Sequence, residues 1–240
     1  MPPATNSPTR KRIQPIRAFR AVRALIQNPD DTPKVFDIID ALSGNAGERL
    51  FRRFRRSATG ERILRERRNL LATLDDRAAL KALPAGSLGR VYADFVEREQ
   101  ITGQGLADAS MANRRDDIDP DRRLFFDRLR DMHDLWHVAT GYGRDLVGEG
   151  ALLAFSYAQT KNRGVGFIVA VAWLRARGEM SFARGIMWEG WRRGRRARWL
   201  PGEDWEHLLT LPLAAVREQL CLGTPPSYAQ VRSAGAPALA

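Results

Sequence analysis

The sequence predicts an all-α protein, built as a single domain of roughly eight to ten helices. Apolar residues recur at helical spacing along most of the chain, whereas the alternation typical of strands hardly appears. Hydrophobic residues make up 44% of the 240 residues and charged residues 28%, which is ordinary globular usage. The single cysteine, Cys221, excludes an intrachain disulfide. We expect a basic disordered tail over 1–15, one helical domain over 16–228 and a flexible tail over 229–240.

The first half of the chain predicts short amphipathic helices. Apolar positions recur at helical spacing over 16–26, and Thr32 is a predicted N-cap with Pro33 in the first turn of the next helix. Arginine-rich helices with apolar stripes follow over 50–71. Ser87 then caps a predicted helix whose apolar stripe consists of Leu88, Val91, Tyr92, Phe95 and Val96.

The second half predicts longer helices. A polar loop over 103–115 precedes a long helix over 120–140, which opens with a proline in its first turn. Two helices with apolar bodies, 149–160 and 164–177, are expected to be buried. A further helix is predicted over 181–198, with short last turns after it.

The predicted surface is strongly basic, with a formal net charge of +11 and a pI near 10.8. Such a surface attracts nucleic acid, anionic lipid headgroups or an acidic substrate. The segment 188–199 interleaves Trp188, Trp191 and Trp199 with arginines, which suits an anionic membrane interface or nucleic acid. A solvated helix face whose tryptophans pack inward explains the same segment. The most apolar run, 165–174, is about half the length of a membrane-spanning helix, and we expect no secretory signal.

One group of side chains has the pattern of a metal site. His133 and His137 are separated by four positions, which places them about 40° apart on one helix face. Asp134 lies about 100° from His133, so all three side chains can converge beside that face. Two of the three histidines of the chain share this face, whereas His207 lacks a carboxylate-rich context and is predicted to be structural.

Glu149 follows His137 after eleven intervening residues. The turn signal Gly141-Tyr142-Gly143 lets the chain reverse and return Glu149 towards the first helix. Imidazoles with carboxylates suit zinc, ferrous iron or manganese, and the donor types do not choose between them. Two histidines at this spacing also share a face by accident in many helices, so a structural role remains the alternative.

The string H-D-x-x-H, followed by eleven residues and E, resembles the signature of the Coq-four family of ubiquinone biosynthesis, and His133, Asp134, His137 and Glu149 fall on its four metal positions. The likeness extends over 17–228, because flanking segments are also similar to the family. These segments begin at Asn28 and Gly86 and include Trp205, Leu211, Pro225, Pro226 and Tyr228. Two regions depart from the family: 117–130 is more charged, and arginines are denser after Trp188.

The resemblance implies an all-helical fold with a metal site between two adjacent helices. It implies oxidative decarboxylation of a polyprenylated hydroxybenzoate, in which a hydroxyl replaces the ring carboxylate, with zinc as the usual metal and iron or manganese as alternatives. Its implied partners are a prenylated quinone precursor, the membrane surface and other coenzyme Q biosynthesis proteins. We expect a homo-oligomer, peripheral on the inner membrane of a bacterium or on the matrix side of the mitochondrial inner membrane.

Two other classes of function fit parts of the sequence. A non-catalytic scaffold would bind prenylated intermediates and organise other enzymes, and its metal would be structural. Four protein ligands around zinc would favour that class, since a closed site leaves no position for substrate. A nucleic-acid-binding helical protein has support from charge but from no recognisable motif, and we expect no nucleic-acid partner.

Overall fold

The computed structural model describes residues 13–27, 32–101 and 119–232. The described residues form helices, turns and loops without a strand, which confirms the all-α prediction. The predicted loop over 103–115 lies outside the described residues, as do most of the two predicted tails. None of the described helices is both long and apolar enough to cross a bilayer.

The helices of the first half are short, as the sequence predicts. Ser57, Asn69, Asp76 and Ser87 each cap a helix by accepting a backbone N–H with the side chain. The bounds are α1 Pro15–Gln27, α2 Thr32–Leu42, α3 Ala46–Arg55, α4 Ala58–Glu66, α5 Leu70–Asp75, α6 Arg77–Ala82 and α7 Leu88–Arg98.

The second half contains the longest helix of the described chain, α10, at the centre of the fold. Two short 3-10 helices, Gly178–Phe182 and Leu200–Gly202, lie on either side of α12 in the chain. The bounds are α8 Pro120–Asp131, α9 His133–Thr140, α10 Leu146–Thr160, α11 Arg163–Arg175, α12 Ala183–Arg196, α13 Trp205–Leu208 and α14 Leu213–Gln219.

The main hydrophobic core lies between α7, α9, α10, α13 and α14. Trp205 is completely buried there, and Trp136 meets Phe155 edge to face at 6.1 Å between ring centroids. α10 packs along α12 at very close range, because a Cβ at Gly190 would overlap the Ala151 backbone. The helix that carries Glu149 is therefore held rigidly between its neighbours.

The predicted single helix over 120–140 is wrong in one respect. Met132 interrupts it as a turn residue between α8 and α9, although the N–H of Met132 still donates to the Arg128 carbonyl at 3.0 Å. The regular helix is therefore interrupted directly before His133, and α9 starts at the first histidine of the motif.

The N-terminal helices form a separate layer. α1 packs on α2, and α2 packs on α11. α1 buries its small residues Ala18 and Ala21 against this layer, whereas Ile16 and Phe19 are exposed. Ile16, Phe19 and Ile26 thus lie at the surface, whereas Val22 is buried.

Candidate metal centre

The start of α10 determines where Glu149 lies. Asp145 caps this helix, because its Oδ1 accepts from the N–H groups of Val147 at 3.0 Å and Gly148 at 3.2 Å. The helix therefore begins at Leu146 rather than at the predicted residue 149. Glu149 consequently lies in the first turn, where the helix dipole stabilises a carboxylate.

The C-terminal segment fastens this turn to the rest of the fold. The Tyr228 hydroxyl donates to Asp145 Oδ2 at 2.9 Å and accepts from the Gly143 N–H at 2.9 Å. The Val231 N–H donates to Asp145 Oδ1 at 3.2 Å. A Cβ at Gly148 would overlap both the Tyr228 hydroxyl and the Gly143 carbonyl, so only glycine fits there. The turn that precedes Glu149 is thereby held in one conformation.

The C-terminal end of α9 is held by two arginines. Gly141 ends this helix in the left-handed conformation, with a φ of 80°. The guanidinium groups of Arg193 and Arg217 donate to carbonyls in the last turn of α9, at 2.8–3.0 Å. These carbonyls belong to Val138, Ala139 and Thr140.

His137 is fully buried and presents one nitrogen to the site. Its Nδ1 lies 2.9 Å from the Tyr142 carbonyl oxygen. Because a carbonyl only accepts, Nδ1 carries the proton, and the neutral ring has its lone pair on Nε2. Nε2 is buried without a hydrogen-bond partner and lies 3.4 Å from Glu149 Oε1. An unsatisfied buried lone pair beside a carboxylate fits a metal ligand.

His133 completes a group of three converging donors. Its ring centroid lies 4.9 Å from that of His137, and its Nε2 lies 4.0 Å from Glu149 Oε2. One donor atom from each of His133, His137 and Glu149 lies within 4.8 Å of the other two. The side chains of His133 and Glu149 are each about one-third exposed, so solvent reaches the group.

Asp134, the fourth predicted ligand, occupies a different place. It lies outside the group of three donors, and its Oδ1 is 3.2 Å from Nδ1 of His133. A carboxylate on Nδ1 orients the ring and leaves Nε2 as the donor towards Glu149. The side chain is buried. This geometry suits a residue that orients His133 from behind.

The site holds its carboxylates ionised. Burial opposes the charge of Glu149, but His137 and His133 outweigh burial and lower its pKa to about 2. Burial likewise opposes protonation of His137, but Glu149 and Asp134 outweigh it and raise the pKa above the ordinary 6.5. The pKa of Asp134 is lowered despite burial, because His133 hydrogen-bonds to it. Protons and a metal ion therefore compete for Nε2 of His137.

The sequence profile of the family described as coenzyme Q (ubiquinone) biosynthesis protein Coq4 matches residues 11–226. The chain belongs to this family. The mitochondrial ubiquinone biosynthesis protein coq-4 of Neurospora crassa is 31% identical over 176 residues, which are 72% of this chain and 49% of that protein. The mitochondrial coq4 of Aspergillus flavus is 30% identical over 72% of this chain and 60% of that protein. The chain thus spans about half to three-fifths of the length of these two relatives.

Two further comparisons cover more of the matched protein. The mitochondrial COQ4 homolog 1 of Culex quinquefasciatus is 28% identical over 78% of this chain and 68% of that protein. A crystal structure from Nostoc punctiforme PCC 73102, of a protein assigned to ubiquinone biosynthesis, superposes with a TM-score of 0.65 at 20% identity. It covers 89% of this chain and 100% of that chain, so it shows that the two share the fold.

Membership of the Coq4 family agrees with the resemblance drawn from the H-D-x-x-H string, but several residues near the site carried no signal in the sequence. Arg193 and Arg217 support α9 from distant positions in an arginine-rich chain. Arg144 is a third: its Nε lies 3.9 Å from Glu149 Oε1. Nothing in their spacing distinguishes these three arginines from the others.

A second surface of this Coq4 family member is exposed and basic. We define the Trp–Arg stripe as Trp173, Arg184, Trp188, Trp191 and Arg195. Arg184 lies over the Trp173 ring at 4.5 Å, Trp188 stacks on Trp191 at 4.7 Å, and Arg195 lies over Trp191 at 4.9 Å. The last four positions share one face of α12. Trp188 is 57% exposed, so the stripe does not simply pack its tryptophans inward.

Proposed function

We propose that this protein acts in ubiquinone biosynthesis as a metal-dependent enzyme that replaces the ring carboxylate of a polyprenylated hydroxybenzoate with a hydroxyl. The observation that carries the proposal is the convergence of His133, His137 and Glu149, with Nε2 of His137 buried and unsatisfied. The Coq4 family supplies the class of pathway.

The three donors would hold one divalent ion. Zinc fits two imidazoles and a carboxylate, and iron or manganese fit them as well. Three protein ligands leave a coordination position open, which is typical of catalytic rather than structural zinc sites. When bound, the ion withdraws charge from the oxygens of an anionic ring.

The residues of the chain would prepare this site before substrate enters. The Tyr142 carbonyl keeps the proton of His137 on Nδ1, and Asp134 orients His133. The one-third exposure of Glu149 and His133 leaves an entrance for the ring. Exchange of carboxylate for hydroxyl releases CO₂ and is a two-electron oxidation of the ring, so dioxygen or another oxidant must take part. Zinc cannot serve as that oxidant, because it is redox-inert.

The proposed location is a membrane surface. The Trp–Arg stripe combines tryptophan, which prefers headgroup depth, with guanidinium groups that bind phosphate. Leu174 and Phe182 are also exposed beside it in the sequence, and apolar side chains of this kind fit a bilayer better than nucleic acid. We place the protein peripherally on the inner membrane of a bacterium or on its mitochondrial equivalent, as a homo-oligomer among other coenzyme Q biosynthesis proteins.

A non-catalytic scaffold is the second candidate. It draws on the exposed apolar residues of α1, Ile16 at 70% and Phe19 at 66%, which are suited to contacts with another protein or with lipid. A scaffold would bind prenylated intermediates and present them to other enzymes, and its metal would hold α9 to α10.

Complementation separates the two candidates. A strain blocked at the decarboxylation step would receive wild type, Glu149→Ala or the exposed control Glu218→Ala, with protein levels matched by immunoblot. The enzyme proposal expects quinone synthesis with wild type and Glu218→Ala. It expects accumulation of the prenylated carboxylate with Glu149→Ala. Equal rescue by Glu149→Ala would favour the scaffold and overturn the enzyme.

A further inference from the structure

Arg144 stands at the rim of the metal centre without a hydrogen-bonding partner among the described residues. It lies in the turn between α9 and α10, directly before the cap Asp145. Its Nε is buried and unsatisfied, and it lies 3.9 Å from Glu149 Oε1, too far for a hydrogen bond. The side chain as a whole is about one-third exposed.

Arg193 and Arg217, which also lie near α9, form hydrogen bonds with backbone carbonyls. Arg193 donates to the carbonyls of Leu222 and Thr140, and Arg217 donates to those of Ala139 and Val138. Both therefore donate two hydrogen bonds that support the fold, although Nη1 of Arg193 is buried without a partner. Arg144 has its charge directed at the site and no such task.

The charge balance of the site identifies what Arg144 lacks. Two neutral imidazoles, the Asp134 and Glu149 carboxylates and one divalent ion sum to zero. Glu149 would then share its charge with the ion, and Arg144 would add one uncompensated positive charge beside an open coordination position. A monoanionic ligand would restore neutrality.

We propose that Arg144 is a binding residue for the carboxylate group of an aromatic acid at this centre. The proposal rests on the proposed function and identifies which residue of the chain would bind the carboxylate of the substrate. A guanidinium group donates two parallel hydrogen bonds to a carboxylate, which fixes the plane of that group as well as its position. Arg144 would thus bind the carboxylate beside the three converging donors His133, His137 and Glu149.

Binding of two matched ligands to zinc-loaded full-length protein tests the assignment. The ligands are 3-geranyl-4-hydroxybenzoate and its uncharged carboxamide, and isothermal titration calorimetry in detergent measures both affinities. Arg144→Gln should weaken binding of the carboxylate about 10- to 100-fold and leave binding of the amide unchanged. Arg144→Lys, which keeps the charge and loses the fork, should be intermediate. Arg65→Gln, an exposed arginine on α4, should match wild type.

The zinc content of each variant, measured by atomic emission, keeps this test separate from the ligand set. Equal zinc in Arg144→Gln and wild type is expected. A loss of zinc in Arg144→Gln would mean that the residue supports Glu149, and would overturn the inference. So would an equal loss of affinity for acid and amide, or a preference for the acid that survives in Arg144→Gln. A zinc-loaded wild type that binds neither compound would overturn the proposed function itself.

Discussion

The metal centre and the Trp–Arg stripe both contain clustered charged side chains, but the two regions differ in how far those charges are paired. At the metal centre the carboxylates of Asp134 and Glu149 each face a histidine, and the pKa of Glu149 is lowered to about 2. On α12, Arg192, Arg195 and Arg196 are exposed and form no ion pair with any residue that the structure describes. One region satisfies its charges internally, and the other leaves them for a partner.

The difference in ion pairing indicates different roles for the two regions. A partly buried, compensated cluster is costly to assemble and is retained where it binds or reacts with a small ligand. An exposed cluster of arginines with stacked tryptophans costs little and gains only when an anionic surface covers it. The metal centre is thus the candidate for catalysis, and the stripe is the candidate for docking.

The largest expected effect is loss of the metal from the buried cluster. His137→Ala removes the nitrogen that is buried and unsatisfied, and we expect zinc content near background in the purified protein. Asp134→Asn leaves all three converging donors in place. It should lower zinc affinity about 10- to 100-fold, since Asp134 only orients His133. Competition with a chromogenic chelator measures both affinities.

His207→Ala is the matched control, because His207 is exposed on α13 and distant in sequence from the motif. It should bind zinc as wild type does. Equal zinc affinity in His137→Ala and wild type would rule out the proposed metal centre. Loss of zinc from Asp134→Asn as complete as that from His137→Ala would make Asp134 a ligand, as the sequence first suggested.

The sequence could predict the cluster because helix geometry is local. The spacing of His133 and His137 places both rings on one face whatever surrounds the helix. The helix interruption at Met132 and the contact of Asp134 with His133 depend on how α8 and α9 pack, so spacing did not predict them. Arg144 was not predicted for a similar reason, because only the folded turn brings its side chain close to Glu149.

The Trp–Arg stripe also shows that the sequence does not predict which residues tertiary packing brings together. The interleaving of tryptophan and arginine over 188–199 predicted either one basic aromatic surface or a solvated helix face whose tryptophans pack inward. In the structure Trp199 leaves that surface and lies against Arg53 of α3, 4.1 Å from its guanidinium carbon. Trp173 and Arg184, distant from the segment or outside it, join the stripe instead. Composition thus predicted the type of surface, and tertiary packing decided its members.

An intermediate effect is expected when Arg195 of the stripe and the neighbouring exposed Arg192 both lose their charge. Arg192→Gln with Arg195→Gln should weaken binding to vesicles that contain anionic phospholipid about 30-fold, at about 1 kcal/mol for each arginine near the surface. Vesicle flotation measures it, and added salt should reduce wild-type binding. The matched control is Arg55→Gln with Arg65→Gln, two exposed arginines on α3 and α4.

The results for the stripe variant also distinguish an anionic membrane from nucleic acid as the partner of this surface. Zinc content should be unchanged in the stripe variant, because its arginines lie outside the metal centre. Vesicle binding that is identical in the stripe variant and wild type would remove the docking role. Tighter binding to random DNA than to anionic vesicles at one salt concentration would reassign the stripe to nucleic acid.

The smallest effect is expected in the pH dependence of stability without metal. The raised pKa of His137 means that its contribution is fully present below pH 6.5 and is lost as the pH rises through the folded value. The lowered pKa of Glu149 means that its contribution is present above pH 4.5 and is lost as the pH falls towards about 2. The pair therefore stabilises the metal-free protein most between pH 4.5 and 6.5.

Thermal unfolding of chelator-treated protein across this range measures the effect, since each kcal/mol corresponds to about 2–4 °C in Tm for a protein of this size. The Tm of wild type should fall more between pH 6 and pH 9 than the Tm of Glu149→Gln does. Glu218→Gln should show the same fall as wild type. Zinc should reverse the trend, because the ion replaces the proton on His137 and binds more tightly as the pH rises. Parallel curves for wild type and Glu149→Gln would mean that His137 and Glu149 do not share a charge, and the buried cluster would then be no better compensated than the stripe.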